Sequence, residues 1–219
     1  MTHLLLVRHG LNDAVGKRLA GRNMDVHLNA QGQFQAQQVA AWLAADKKIT
    51  AILTSPITRA VETAQPLAAL MDLPIHECEA LIEVNYGDWS GKTFLELEQI
   101  PEWKKVTHSP EKGKFPNGES FIQIANRLRD FLTAMSTQYG DEDVVACFSH
   151  ADIAAILLAL SMGLPLVHYQ RISISPGSVS AISSGQAGWR VHFINLVPGE
   201  ALCIPVRTPN ENPISGAAT

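Results

Sequence analysis

Cysteine, aromatic and charged residues are all scarce in this 219-residue sequence. The three cysteines, Cys78, Cys147 and Cys203, form no CxxC pair, so the sequence indicates neither a disulfide framework nor a zinc-binding cysteine cluster. Aromatic residues make up 6% of the chain and charged residues 17%, against 46% hydrophobic residues. This composition is typical of an ordinary folded protein of a reducing compartment, and we predict a cytoplasmic location.

Long apolar runs are missing as well. The first run, Leu4 to Val7, is followed at once by Arg8 and is too short for the core of a signal peptide. The longest, Ile153 to Val167, is interrupted by serine, glycine and proline and falls short of the roughly 20 residues that a membrane span needs. The sequence therefore predicts no membrane partner, and the longest run predicts a buried helix.

An excess of positive charge is also absent. The 17 Lys and Arg residues face 21 Asp and Glu residues, which gives a net charge of −4. Such a balance does not favour nucleic acid as a partner, and any attraction for anions has to be local. The histidines outside the candidate site lack metal-ligand spacing such as HxxxH, so we predict neither a bound metal ion nor another cofactor.

Short apolar runs alternate with helical patterns along the chain. Runs without alternation are typical of strands covered on both faces, and there are three, at residues 4–7, 51–53 and 144–148. Amphipathic helical spacing occupies residues 36–43 and 121–135, and later strands are expected at 179–182 and 189–194. This order predicts an α/β fold, a three-layer sandwich with a mostly parallel sheet and helices on both faces.

One domain is expected over residues 1–204. Three prolines, and four lysines between Lys104 and Lys114, mark residues 91–118, and we predict a lid-like insertion at about 92–118 that lies over one end of the sheet. The four lysines, between Lys104 and Lys114, are more typical of a solvated face than of a substrate clamp. Residues 205–219 are rich in Pro, Asn, Gly and Ser, which predicts a flexible C-terminal tail.

Reactive residues follow the three buried strands. The first run ends in Arg8 and His9, the second is followed by Arg59, and the third by His150. Ligands of open α/β sheets bind beyond the carboxyl ends of the strands, so these side chains are expected to converge there. We predict that Ser55 caps a helix whose first turn carries Arg59, next to free backbone amides that attract anions.

This concentration of positive groups matches a phosphoryl group better than a carboxylate, because phosphate carries close to two negative charges. His9 can attack phosphorus as neutral imidazole, the form that histidine offers near neutral pH. The leaving alkoxide then needs a proton donor. Glu83 is the candidate, since its apolar neighbours in LIEVNYGDWSG favour a raised carboxyl pKa.

Five segments in this order resemble the histidine phosphatase superfamily, also called phosphoglycerate mutase-like: VRHG, SPITRAVETA, LIEVNYGDWSG, PNGES and FSHAD. Together they span residue 4 to about residue 160. The resemblance implies a phosphoglycerate mutase-like three-layer fold and chemistry without a metal. It also implies roles for individual residues, with His9 as nucleophile, Arg8, Arg59 and His150 as phosphate ligands, and Glu83 as acid and base.

The sequence departs from this family at two places. Many members have an additional phosphate-binding Asn a few residues after RHG, where this chain has Leu11 to Val15, and Asn12 or Arg22 are the candidate substitutes as substrate contacts. The second histidine is usually followed by Gly, whereas Ala151 and Asp152 follow it here. Asp152 either caps its helix or contacts the substrate.

The function expected from the sequence is a phosphatase that hydrolyses small phosphorylated metabolites through a phosphohistidine. A phosphoglycerate mutase-type transfer through the same intermediate is the first alternative. A non-catalytic phosphate-binding regulatory module is the second. The sequence leaves the physiological substrate and the oligomeric state open, a homodimer included.

Overall fold

The structure, a computed structural model, describes residues 1–45 and 48–199. The predicted tail at 205–219, the last residues of the predicted domain and Cys203 lie outside the described residues. Within them, six strands form one sheet: β1 (His3–Arg8), β2 (Ile49–Thr54), β3 (Ile75–Glu77), β4 (Val144–Ser149), β5 (Val179–Ser183) and β6 (Arg190–Leu196).

The strand order is β3-β2-β4-β1-β5-β6. The pairs β1–β4, β2–β4 and β2–β3 are parallel, while β5 runs antiparallel to both β1 and β6. The prediction of a mostly parallel sheet is confirmed. Of the two later strands, β6 lies at the edge, whereas β5 is enclosed between β1 and β6.

Helices cover both faces of the sheet. The α-helices of the described residues are α1 (Ala30–Ala44), α2 (Thr58–Met71), α3 (Phe94–Glu98), α4 (Pro101–His108), α5 (Phe121–Gln138) and α6 (Ala151–Ser161). Short 3₁₀ helices lie at Glu79–Leu81, Gly87–Trp89 and Leu166–Arg171. One hydrophobic cluster joins the sheet to α1 and α2, and another joins it to α5 and α6, which confirms the three-layer fold.

The alternation of side chains in the central strands explains the two clusters. In β4, Val145 and Cys147 belong to the cluster with α5 and α6, while Ala146 and Phe148 belong to the cluster with α1 and α2. Successive side chains of a strand point to opposite faces, so a strand covered on both sides needs apolar residues at every position.

The segment that carries the predicted insertion contains α3 and α4, and its buried side chains belong to the same hydrophobic cluster as α5 and α6. Trp103 and Phe115 are buried and pack against Trp89, with ring centroids 5.5 and 5.8 Å apart. The four lysines between Lys104 and Lys114 are exposed, and none of them lines the candidate cleft. The structure thus places them on a solvated face.

Candidate active site

The carboxyl ends of three parallel strands lie side by side because β4 sits between β1 and β2. Arg8 is in register with Ser149, and Thr54 is in register with Phe148. The residues that follow each strand therefore meet at one end of the sheet. A cleft opens there, and Arg8, His9, Arg59 and Glu83 are among the residues that line it.

His9 is held in one orientation by its own backbone neighbourhood. Its backbone N–H donates to the Ser149 carbonyl (2.9 Å), and its Nδ1 lies 2.7 Å from the Gly10 carbonyl oxygen. A carbonyl only accepts, so Nδ1 carries the proton and Nε2 keeps its lone pair. Burial and the charges of Arg59 and Arg8 lower the pKa of His9 well below its ordinary value. The ring is consequently neutral at neutral pH, with a lone pair on Nε2.

Gly10 permits a close contact between backbones. A Cβ atom at this position would lie 2.4 Å from the carbonyl oxygen of Gly32, in the first turn of α1. The Gly10 N–H donates to the Thr63 hydroxyl of α2 (3.0 Å). A side chain at position 10 would therefore displace the turn that holds His9.

Arg59 is almost fully buried in the first turn of α2, with 1% of its surface exposed. Its guanidinium donates to the carbonyls of Gly21 (2.8 Å) and Asn23 (3.3 Å). Its Nε has no hydrogen-bond partner among the described residues. A buried donor at a helix N-terminus is well suited to an anion, as predicted from the sequence.

The prediction for Ser55 was wrong in one respect. The helix begins two residues later than expected, its N-cap is Ile57, and no side chain caps it. The Ser55 hydroxyl instead lies 2.8 Å from Nε2 of His150 and accepts a hydrogen bond from the Ile57 N–H (3.3 Å). Ser55 thus orients the second histidine, because its hydroxyl is drawn to a buried ring nitrogen.

His150 is the N-cap of α6 and is fully buried. Its Nδ1 lies 3.3 Å from the Arg59 guanidinium and 3.6 Å from Glu83 Oε2, and its ring centroid is 5.3 Å from that of His9. Burial first, and then the charge of Arg59, lowers its pKa well below the ordinary value. The structure brings the two predicted histidines into one site.

Arg8 contributes a second buried guanidinium to the cleft. Its NH1 donates to the carbonyl of Ile174. Burial lowers the pKa of Arg8 to about 10, an effect that the nearby carboxylates of Glu83 and Asp152 oppose. The group is therefore a cation at neutral pH.

Glu83 lines the cleft close to Arg59 and His150. Its Oε1 accepts from the Val84 N–H (2.9 Å), and its Oε2 is 3.9 Å from the Arg59 guanidinium. Burial raises the pKa of Glu83, against the charge of Arg59 and the Val84 hydrogen bond. This direction is the one anticipated from its apolar neighbours.

A network of two arginines and one carboxylate holds the Glu83 segment. Arg22 donates from Nε to the Glu83 carbonyl (2.8 Å), and Arg127 donates to the carbonyls of Ala80 (2.6 Å) and Ile82 (3.0 Å). The Glu119 carboxylate accepts hydrogen bonds from Arg22 (2.8 Å), from Arg127 (3.4 Å) and from the Asn85 N–H (2.9 Å). Arg22, a candidate substrate contact, is not among the residues that line the cleft.

Asn12, the other candidate substitute, lines the cleft and is 3% exposed. Its Oδ1 accepts from the Ala14 N–H (3.0 Å). Its Nδ2 has no hydrogen-bond partner among the residues that the structure describes. An amide fixed at one end, with a buried donor left over, is suited to a phosphoryl oxygen.

Asp152 and Tyr86 form a buried pair in the same cleft. The Tyr86 hydroxyl donates to Asp152 Oδ2 (2.7 Å), and each residue is at most 5% exposed. Burial, followed by the charge of Glu83, raises the pKa of Asp152 to about 7. Asp152 occupies the first turn of α6, yet its side chain belongs to the cleft rather than to a helix cap.

Sequence reasoning missed Tyr86, Glu119 and Arg127. Tyr86 lies three residues after Glu83 in the same segment, and its hydroxyl was a signal that a buried polar partner existed. Glu119 lies within PNGES, directly before the N-cap of α5, and a carboxylate at this position is a signal for a nearby cationic partner. No local pattern pointed to Arg127.

The described residues provide no group of three or more His, Cys, Asp or Glu side chains that could hold a metal ion. Likewise, no helix within residues 1–45 and 48–199 is long and apolar enough to cross a membrane.

The chain is similar to known proteins over most of its length. The family model of the histidine phosphatase superfamily (branch 1) matches residues 4–197. Phosphoserine phosphatase 1 of Hydrogenobacter thermophilus is 30% identical over 186 residues, which is 83% of this chain and 86% of that protein. The "Probable phosphoglycerate mutase GpmB" of Serratia proteamaculans is 27% identical over 193 residues, 86% and 88% of the two chains. The crystal structure of the alpha-ribazole phosphatase of Shigella flexneri has a TM-score of 0.79 and 25% identity, and covers 92% of this chain and 100% of that one.

Proposed function

Since this chain belongs to the histidine phosphatase superfamily, branch 1, we propose that it hydrolyses small phosphomonoesters through a phosphohistidine on His9, without a metal ion. One observation carries the proposal. A buried neutral imidazole with a free Nε2, two buried arginines, a second histidine and a carboxyl of raised pKa all meet at one end of the sheet. Each role of the reaction is thereby filled by a protein group.

In the first step, the His9 Nε2 lone pair attacks phosphorus and the bond between phosphorus and the ester oxygen breaks. Glu83 donates its proton to the departing oxygen, so the alcohol leaves neutral. The guanidinium groups of Arg8 and Arg59 stabilise the charge on the transferred oxygens. Asn12 Nδ2 adds a hydrogen bond to the same group, whereas His150 lies outside the cleft lining, with its ring nitrogens beside Ser55 and Arg59.

In the second step, water attacks the phosphorus of the phosphohistidine. The Glu83 carboxylate takes one proton from this water, and the bond between nitrogen and phosphorus breaks. Inorganic phosphate leaves, His9 is neutral again and Glu83 is protonated for the next turnover. One carboxyl therefore serves as acid and then as base.

The proposal is tested with a panel of phosphomonoesters, including 3-phosphoglycerate, assayed with and without EDTA. We expect phosphate release that survives EDTA, because arginines rather than metal ions supply the positive charge. We also expect 2-phosphoglycerate to form much more slowly than phosphate. The four lysines between Lys104 and Lys114 lie outside the cleft, so they provide no second anion site there that would retain a bisphosphorylated intermediate.

Addition of a trace of 2,3-bisphosphoglycerate is the control for the mutase alternative, which the GpmB relative keeps open. Isomer that appears faster than phosphate would replace the phosphatase assignment. Activity that needs added Mg²⁺ or Zn²⁺ would overturn metal independence. Binding of phosphate without turnover of any ester would favour the non-catalytic module.

Glu119 offers a test of how Glu83 is positioned. Glu119→Gln removes the charge that joins Arg22 to Arg127, and a small displacement of Glu83 lowers proton transfer. We expect turnover of alkyl phosphates to fall about tenfold and turnover of aryl phosphates to fall less. The measurement is kcat on ethyl and p-nitrophenyl phosphate at one pH.

The matched control for this variant is Glu102→Gln, at an exposed position of α4. Equal losses on the two esters would show that Glu119 acts only on stability, which a thermal melt records separately.

A further inference from the structure

Asp152 lines the cleft but has no part in the proposed reaction, unlike most other polar residues there. Arg8, Arg59 and Asn12 serve the phosphoryl group, and His9 and Glu83 serve the reacting bonds. Arg18 is an exposed residue of the cleft wall. The buried pair of Tyr86 and Asp152 is what is left.

One oxygen of this pair is unused. Asp152 Oδ2 accepts from Tyr86, whereas Oδ1 has no hydrogen-bond partner among the described residues. In the ionised form of Asp152, which prevails above its pKa of about 7, the Tyr86 hydroxyl proton is already donated to Oδ2, so the pair offers an acceptor and no further donor. Oδ1 is not among the buried side-chain atoms that lack a partner, so it is accessible from the cleft that Asp152 lines, where a donor of the ligand can replace water.

The surroundings of Asp152 make this acceptor selective. Val15, Leu19 and Phe94, which also line the cleft, have side chains that offer no hydrogen bond to the alcohol part of an ester. The charge of Glu83 is close enough to raise the pKa of Asp152. Glu83 and Asp152 line the same cleft, so a donor that Asp152 binds lies in the cleft that holds the carboxyl proposed to protonate the ester oxygen.

We propose that Asp152, oriented by Tyr86, binds a hydrogen-bond donor on the alcohol part of the substrate. This inference rests on the proposed function and narrows it. The substrate class is a phosphomonoester whose alcohol carries a hydroxyl or an ammonium group near the ester oxygen.

Three esters of equal length test the inference: 2-hydroxyethyl, 2-aminoethyl and n-propyl phosphate. They place OH, NH₃⁺ and CH₃ at the same position. We expect kcat/KM of the wild-type protein to be at least about tenfold higher for the two donor esters than for propyl phosphate, because a site built for a donor is left unpaired without one.

Two variants separate a direct contact from a supporting role. Asp152→Asn keeps an oxygen for Tyr86 but turns an amide NH₂ toward the ligand. The kcat/KM for 2-aminoethyl phosphate, divided by that for propyl phosphate, should therefore fall to about one or below. The kcat/KM for the 2-hydroxyethyl ester should fall less, since a hydroxyl can also accept a hydrogen bond from the amide. Tyr86→Phe keeps the carboxylate and should keep the preference for donors. Asp130→Asn, at an exposed position of α5, is the matched control and should keep the wild-type ratios.

Equal kcat/KM for the three esters in the wild-type protein would overturn the inference. So would an unchanged preference in Asp152→Asn, or equal losses on all three esters in both site variants, which would assign the pair a supporting role. Turnover of p-nitrophenyl phosphate distinguishes a failure of this inference from a failure of the proposed function. Turnover of this ester without a donor preference refutes the inference alone, whereas a lack of any turnover refutes the proposed function as well.

Discussion

Replacement of His9 by alanine is expected to lower phosphate release by about 10⁴-fold or more, since no other side chain among the described residues that line the cleft offers a neutral nucleophilic nitrogen. His150 is the nearest alternative, but its ring is engaged by Ser55 on one side and faces Arg59 on the other. The measurement is steady-state kcat on p-nitrophenyl phosphate. A rapid quench with labelled substrate follows the acid-labile, base-stable phosphoryl adduct on His9.

The control for this variant is His76→Ala, at an exposed histidine of β3. It should keep the wild-type rate and the labelled adduct. A thermal melt of His9→Ala separates loss of chemistry from loss of fold, because His9 is 4% exposed and its removal leaves a small void. Near wild-type turnover in a folded His9→Ala protein would refute the covalent mechanism.

Replacement of Glu83 by glutamine should lower kcat by about 10²-fold to 10⁴-fold on alkyl phosphates and by much less on aryl phosphates. An alkoxide cannot leave without a proton, whereas a phenolate can. Glutamine preserves the shape and the acceptor for the Val84 N–H, so the local backbone should persist. Parallel assays of ethyl and p-nitrophenyl phosphate give the ratio of the two losses in kcat.

The pH dependence gives a second readout for Glu83. Its pKa is raised above the ordinary value, so the acid form persists to higher pH and is lost as pH rises through the raised pKa. Turnover limited by departure of the alcohol should fall over that range in the wild-type protein. The fall should disappear in Glu83→Gln, which has no proton to lose.

Glu111→Gln, at an exposed carboxyl of the insertion, is the matched control. Equal losses on both esters in Glu83→Gln would mean that Glu83 acts on structure or that another group is the acid. Asp152, with a pKa of about 7, would then be the next candidate.

The central elements were predictable because their patterns are local. An uninterrupted apolar run such as Val144 to Phe148 is required of a strand covered on both faces, and β4 has such neighbours. The start of α2 was not predictable, because the Ser55 hydroxyl had two possible partners. The buried ring of His150, 95 residues away in sequence, is the one it contacts.

The contacts of Arg22 also involve partners that are distant in sequence. Its charge and position suggested an anion contact, yet its guanidinium reaches the Glu83 carbonyl and the Glu119 carboxylate. Nothing within several residues of Arg22 indicates these partners. Whether it also contacts substrate stays a prediction, and the observed contacts favour a role in positioning Glu83.

The sequence by itself determined which reactive groups this protein has and where they stand relative to its strands and helices. Polar residues directly after buried strands had to meet at the carboxyl end of the sheet, and that rule identified His9, Arg59 and His150. Only the tertiary structure decided the state of these groups. Burial and the charges of neighbours distant in sequence make both histidines neutral, raise the pKa values of Glu83 and Asp152, and leave Asn12 Nδ2 without a partner among the described residues. Desolvation and Coulomb interactions depend on everything that packs around a group, and that surrounding exists only once the chain has folded.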